Sequence, residues 1–303
     1  MIRPRKLLYP TDFSRCARQA LTHALFLAER FEAELHLLHA HVLHADDPAN
    51  PERHFPESEE LLRRLHEIAG SELARLLEAG RDRPIALREF QPRAISAATA
   101  ILDHIDEHGI DLVVMGTHGR GRAARLLAGS VANQTIRSAP CPVLTLRERD
   151  EGRPIEAIDR IVAPLDFSRH TGPQLAWALE LAQLYDARLQ LLHVIERPVY
   201  PYFYSTLAGE QASERVAELE ERTREALQDA LAAAGGARGR EVEVHVRRGR
   251  PASEIVAFAR ESSDMIALST RGLSGVERLL LGSTAQEVVQ TADQPVFLSR
   301  GAG

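Results

Sequence analysis

The chain has 303 residues, 44% of them hydrophobic and 26% charged, with a formal net charge of −6. That length favours two domains over one, and the acidic balance excludes the basic excess of a dedicated nucleic-acid binder. Cys16 and Cys141 are the only cysteines and lie far apart, which excludes a paired-cysteine metal spacing, and no stretch approaches the roughly 18 apolar residues of a membrane span or the apolar core of a signal peptide, so a soluble, cytoplasmic protein is expected.

Taken in chain order, the first half alternates short β-rich runs with helical stretches. "KLLY" at 6–9 reads as a strand, and the segment after it repeats its apolar residues at threes and fours (Ala17, Ala20, Leu21, Ala24, Leu27, Ala28), the period of a helix with one buried face. "LHLLHAHV" at 35–42 is a second strand, "PESEELLRRLHEIAGSELARLLEAG" a second helix, and "IALREF", "DLVVM" and "PVLTL" supply three further strands. These runs are nearly continuous in apolar residues, as expected of strands covered on both faces, and their alternation with helices predicts a parallel sheet between helix layers.

The second half repeats the first. "KLLYPTDFSRCARQALTHALFLAERFEAELHLLHA" from Lys6 aligns with "RIVAPLDFSRHTGPQLAWALELAQLYDARLQLLHV" from Arg160, so that Asp12 falls on Asp166 and Ala40 on Val194. Further on, Gly119 falls on Gly272 and Gly129 on Gly282 at a spacing one residue shorter. The chain is therefore a tandem duplication. Its domains are expected at 1–147 and 159–303, joined by a charged linker at 148–158 within "RERDEGRPIEAI". Each domain is expected to be β-α-β-α-β-α-β-α-β. The first repeat has Ser96, Ala97 and Ala98 where the second has the Gly-Arg-Pro turn of Gly249–Pro251, a change expected to alter a helix start more than a ligand contact.

In open sheets of this kind ligands bind beyond the carboxyl ends of the strands, where the strand order reverses. Two segments of each repeat fall there: "PTDFS" or "PLDFS" after the first strand, and "GTHGRGRAARLLAGSV" or "STRGLSGVERLLLGST" after the fourth. The glycine segment is not a Walker A loop, since Ser130 and Ser283 stand where a lysine would have to follow the last glycine. It is not a Rossmann fingerprint either, because that belongs after the first strand. Glycines that let backbone N–H groups approach an anion, followed by Gly-Ser opening a helix at the positive end of its dipole, describe an anion cradle.

A strand ending Pro-x-Asp-x-Ser, a strand ending Leu-His-Val and a Gly-x2-Gly-x9-Gly-Ser segment together resemble the universal stress protein family in its tandem two-domain form, over nearly the whole chain. The resemblance implies two doubly wound five-stranded parallel sheets, Rossmann-like and similar to the adenine nucleotide alpha hydrolases. It implies an ATP-binding stress-response protein that acts through conformation or partners with little turnover, with Mg²⁺ accompanying the nucleotide. The Asp after the first strand would receive the adenine edge and the glycine loop would hold ribose and phosphates. Carried over, the first domain would use Pro10, Asp12, Ala40, Met115, Gly116, Gly119, Gly129, Ser130 and Val131. The second would use Pro164, Asp166, Val194, Leu268, Ser269, Gly272, Gly282, Ser283 and Thr284.

Several alternatives stay open at this level. Asp12 and Asp166 are also placed to cap helices. Arg120, Arg122 and Arg125 read equally as a solvated face or a phosphate-steering cluster. His39 and His41 would share one strand face, yet no acid or cysteine is spaced to complete a zinc site, and Cys141 reads as a small buried hydrophobe. Ser269 replaces a glycine, placing a Cβ where close approach or an unusual dihedral is wanted, and puts second-domain binding in doubt. No general base is nominated: the first loop has His118 and no carboxylate, and the second has Glu277 without an obvious partner. A slow ATPase or a nucleotidyl- or phosphoryl-transfer enzyme therefore ranks below a binding protein, beside a nucleotide-free dimerisation module. The final strands "PVLTL" and "PVFLS" are expected to pair the domains as a pseudo-dimer, because an edge strand presents unpaired backbone groups.

Overall fold

The computed structural model describes residues 2–42, 59–117, 129–148, 158–196, 209–237, 239–270 and 281–300, with the side chains of 59–62, 79 and 209–214 left aside. The chain forms two compact units, Arg3–Glu156 and Ala157–Gly303.

The first unit runs β1 (Lys6–Pro10), α1 (Arg15–Phe31), β2 (Glu34–Leu38), β3 (His41–Val42), α2 (Glu59–Gly80), β4 (Leu87–Phe90), β5 (Arg93–Ala94), α3 (Ala97–His108), β6 (Leu112–Gly116), α4 (Ser130–Ser138) and β7 (Val143–Leu146). Its main strands lie in the order β4-β2-β1-β6-β7, and every pair is parallel. The second unit runs β8 (Arg160–Pro164), α5 (Thr171–Tyr185), β9 (Arg188–Glu196), α6 (Gly209–Ala233), β10 (Val242–Gly249), α7 (Pro251–Ser262), β11 (Met265–Ser269), α8 (Ser283–Thr291) and β12 (Val296–Ser299). It repeats the order as β10-β9-β8-β11-β12. In both units the chain leaves the first strand toward one side and returns on the other, so the doubly wound parallel sheets follow the alternating pattern of the sequence.

The central strands are buried residue after residue, as at Leu7–Pro10 and Leu112–Met115, which is the mark of a sheet covered on both faces. Helix α1 buries the expected stripe of Ala17, Ala20, Leu21, Ala24, Leu27 and Ala28. Ser14 caps it by accepting the Ala17 N–H, and Glu32 in the left-handed region ends it. At the amino ends of the sheets both units use one device: Asp111 Oδ2 accepts the Arg5 and Lys6 N–H groups, and Asp264 Oδ2 accepts those of Asp159 and Arg160.

Two local readings change. "LHLLHAHV" is not one strand: β2 stops at Leu38, and His41–Val42 pairs separately with Arg93–Ala94. His39 and His41 therefore do not share a strand face, although their rings stand 5.3 Å apart and nearly perpendicular. The break comes where the His39 ring turns back to bond the Thr11 carbonyl. The second unit has no such break, and β9 runs unbroken through nine residues. Asp12 is not a helix cap either, since Ser14 takes that place while Asp12 Oδ1 accepts the Ser14 N–H.

Candidate functional site

The carboxyl ends of β1 and β6, on either side of the reversal in strand order, open into a cleft of about 240 Å³. Pro10, Thr11 and Asp12 line it from the end of β1, Leu38 and Ala40 from the end of β2, and Met115, Gly116 and Thr117 from the end of β6. Ala17 of α1, Ala97 and Ile101 of α3, and Gly129–Ala132 at the start of α4 complete the wall. Pro10, Asp12, Ala40, Met115, Gly116, Gly129, Ser130 and Val131, dispersed in sequence, thus surround one space. Gly119, with His118, Arg120, Arg122 and Arg125, lies outside the described residues, as do Gly272 and Glu277 of the second repeat.

Each wall has a local cause. Tyr9 is fully buried behind β1 and donates its hydroxyl to the Ala17 carbonyl at 2.7 Å, tying the strand end to α1; burial pushes this phenol well above its ordinary range. Gly116 faces α1 so closely that a Cβ would meet Cys16 Sγ at 2.9 Å and backbone atoms of Cys16 and Ala17 at 3.1 and 3.2 Å. Its glycine is required by packing, not by a left-handed backbone, for Gly116 is not at positive φ. The dihedral reason for doubting Ser269 therefore falls away.

The part of the lining suited to an anion is the start of α4. Gly129 is the N-cap, held by its N–H to the Thr117 carbonyl at 2.7 Å, and among the described residues no side chain caps the helix. A helix so begun leaves the first-turn N–H groups of Ser130, Val131 and Ala132 without intrahelical acceptors, directed past its positive end. A Cβ on Gly129 would lie 3.1 Å from the Thr117 oxygen, tighter than nearly all real contacts. Asp12 is the only carboxylate among the described lining residues, which include this helix start.

The second unit rebuilds the frame with different walls. Gly282 caps α8 without a side chain and gives its N–H to Thr270, as Gly129 does to Thr117. Asp166 Oδ1 accepts the Ser168 N–H. In place of Thr11 and Ala40 stand Leu165 and Val194, 3% and 9% exposed, while Leu268 and Ser269 are buried at the end of β11 and Pro164 ends β8. Gln174 replaces the tyrosine tie by donating to the Pro164 and Ala267 carbonyls at 2.6 and 3.1 Å. The absence of the Gly-Arg-Pro turn from the first repeat does change a helix start: Ser96 caps α3 through its hydroxyl, whereas α7 begins with Pro251, and Arg250 before it reaches Glu287 of α8 at 2.7 Å. Ser283 and Thr284 open α8.

Thr11, Ala17, Leu38, Ala97, Ile101, Thr117 and Ala132 also line the first cleft and are not singled out by the sequence. Thr117 has a signal there, since Thr270 repeats it and both hydroxyls reach back to the last strand, at Leu146 and Ser299. The others are small or apolar and carry none.

Two tandem units, each with an acidic turn after the first strand and a Gly-Ser helix start after the fourth, define a doubly wound, Rossmann-like α/β protein. The family model described as "Universal stress protein family" matches residues 4–147 and again 157–300, and the chain belongs to that family. A universal stress protein of Methanocaldococcus jannaschii is 33% identical over 141 residues, covering 46% of this chain and 80% of the relative. One of Mycobacterium tuberculosis is 27% identical over 196 residues, covering 62% and 61%. Among solved structures, a functionally unknown protein of Pseudomonas aeruginosa has a TM-score of 0.67 at 19% identity, over 98% of this chain and 93% of that one. A universal stress protein of Archaeoglobus fulgidus has a TM-score of 0.65 at 22% identity, over 98% and 96%. Both bear on the fold. Among the described residues no helix is long and apolar enough to cross a membrane.

Proposed function

We propose that the cleft of the first unit binds an adenine nucleotide, ATP with Mg²⁺, and that the protein works by binding and not by turnover. One observation carries this: a cleft at the strand-order reversal is lined by a carboxylate and by a helix start that its N-cap residue leaves without a side-chain cap. A purine between Pro10, Ala40 and Met115 would leave its amino group within reach of Asp12, and the phosphates would meet the N–H groups of Ser130–Ala132. The donor set fits Mg²⁺ only as a companion of the phosphates, because the described lining offers the Ser130 hydroxyl, the Thr11 and Thr117 hydroxyls already bonded within the protein, and one carboxylate, too little for a protein cage. Mg²⁺ when bound would neutralise phosphate charge.

The same lining favours binding over catalysis, since Asp12 is the only acid or base among the described lining residues. The intrachain pairing of "PVLTL" with "PVFLS" belongs to the proposal. A chain that closes its own edge in this way should sediment as a monomer at low concentration, and one that does not should form a homodimer through the same strands. The deciding experiment is to purify the protein without added nucleotide, denature it, and identify any released base, followed by calorimetric titration with ATP. Release of adenine nucleotide or saturable ATP binding supports the reading; neither release nor binding overturns it.

A further inference from the structure

The two repeats share one contact that the cleft lining does not include. His39 Nδ1 lies 2.8 Å from the Thr11 carbonyl oxygen, and His193 Nδ1 lies 2.7 Å from that of Leu165. A carbonyl only accepts, so in both rings Nδ1 carries the proton.

The contact stands where a ladder ends. Strand β1 pairs with β2 as far as Pro10 and Leu38, and β8 with β9 as far as Pro164 and Leu192. One residue on, the Thr11 N–H still bonds the Leu38 carbonyl, and the Leu165 N–H that of Leu192. The carbonyl of that same residue would next accept from a backbone N–H of the neighbouring strand. The imidazole supplies the donor instead, which lets the first strand bend away into its helix with both backbone groups of its last residue satisfied.

The turn after the clamped residue is equally repeated. Asp12 and Asp166 each accept the N–H two residues on, and Phe13 and Phe167, next to them in the chain, adopt left-handed φ of 62° and 58°. A bulky residue in that region is unfavourable and persists only where its surroundings dictate it. The Phe13 ring packs on His39 at 4.5 Å between centroids, and Phe167 on His193 at 4.7 Å. The ring of the histidine thus holds the carbonyl before the acid and the side chain after it.

We propose that His39 and His193 are positioning residues: each clamps the strand end and the left-handed phenylalanine so that the intervening aspartate is presented at a fixed place on the cleft wall. The clamp stands on the geometry alone; its effect on ligand affinity rests on the nucleotide reading above.

The test uses the full chain with His39→Ala, His39→Asn and His193→Ala. In ligand-free protein, amide exchange over residues 10–15 should rise about tenfold in His39→Ala, return to within about threefold of wild type in His39→Asn, whose amide keeps a donor, and stay unchanged in His193→Ala. ATP affinity measured by calorimetry should follow the same order, with a loss of about tenfold in His39→Ala. A merely structural histidine would lower thermal stability without the asparagine rescuing affinity. Exchange over residues 10–15 that does not change in His39→Ala, or an asparagine variant no better than alanine, overturns the clamp; should His39→Ala not fold, the asparagine variant decides alone. Wild-type protein that binds no ATP sinks the nucleotide reading, and the exchange pattern still decides the clamp.

Discussion

His36 Nδ1 lies 2.8 Å from His104 Nε2, joining β2 to α3 through two rings that are 2% and 5% exposed. His36 Nε2 meets Glu34 Oε1 at 2.6 Å, Phe90 stacks on His36, and the His108 ring lies 4.1 Å from that of His104. Burial works to raise the Glu34 carboxyl, but the His36 hydrogen bond and the Arg88 guanidinium outweigh it and leave it below its usual range. Burial pushes the His36 ring down in spite of Glu34, and Lys6 adds to that. It pushes His104 down to about 4, with His108 and His36 adding to it. The second unit fills the matching space with Gln190, His245, Phe258 and Ser263, where the Ser263 hydroxyl donates to Gln190 Oε1 at 2.7 Å.

Acid should therefore destabilise the first unit selectively. His104 titrates near its ordinary value of 6.5 when unfolded and near 4 when folded, so the unfolded state binds the extra proton and stability rises with pH across that window. The contribution is complete above 6.5 and is lost as pH falls through about 4. The shift corresponds to a few kcal/mol, on the order of 3. Trp177 is the single tryptophan and lies in the second unit, so its fluorescence reports that unit while circular dichroism reports both. Urea transitions from pH 7 to 4 should show the dichroism midpoint falling ahead of the fluorescence midpoint, and His104→Phe should flatten the difference. Coincident transitions at every pH would refute this.

Gly129 and Gly282 should respond differently to alanine. A Cβ at Gly129 lies 3.1 Å from the Thr117 oxygen, a backbone atom that cannot swing away, whereas at Gly282 the Thr270 oxygen is at 3.5 Å, an ordinary contact. Gly129→Ala is expected to cost roughly 1 kcal/mol or more by overpacking. Gly282→Ala should be neutral or stabilise by a few tenths, since alanine restricts the unfolded chain. Thermal melts of the two variants check this, and equal losses would count against it.

ATP should bind the first unit more tightly than the second. Leu165 and Val194 replace Thr11 and Ala40, adding apolar bulk where the first cleft is open, so the inequality comes from wall volume and not from backbone conformation at Gly116. A difference of about tenfold between the dissociation constants is expected. Ala40→Val and Gly119→Val should each remove most of the tight binding, and Gly272→Val little of it. Calorimetry that finds the tight site lost in Gly272→Val and kept in Gly119→Val would show the units reversed.

Magnesium should strengthen nucleotide binding modestly. The cleft offers backbone donors and one serine hydroxyl to the phosphates, so the ion, keeping most of its waters, would act by offsetting phosphate repulsion. Titration with ATP in excess EDTA should give weaker affinity than with Mg²⁺; equal or tighter affinity would contradict it.

The duplication, the order of helices and strands and the two segments meeting at the cleft are all legible in the residues, because each is written as periodicity or as a repeated motif. The roles of particular residues are less so. Gly116 reads as a glycine of the cleft, and the packing of Cys16 against it is not written in the motif; His39 reads as a strand histidine with no partner spaced to complete a metal site, and its bond to a carbonyl is equally unwritten. In each case the deciding partner lies on another element, Cys16 on the helix packed against β6 and Thr11 at the end of the neighbouring strand, and a linear reading has no access to such pairings. The break after Leu38 is hidden for the same reason, since Ala40 and Val194 are equally compatible with a continuing strand.

That break also leaves Ala40 at a kink. Strand β2 is joined to β4 across four residue pairs, and the fastening resumes past the break: the His39 and His41 N–H groups bond the Phe90 and Pro92 carbonyls, and His41–Val42 pairs with Arg93–Ala94. The outer pair of the second sheet, β9 with β10, runs through eight residue pairs without interruption. Ala40, on the cleft wall, thus stands out of the ladder while its chain neighbours on both sides are pinned to the outer strand segment.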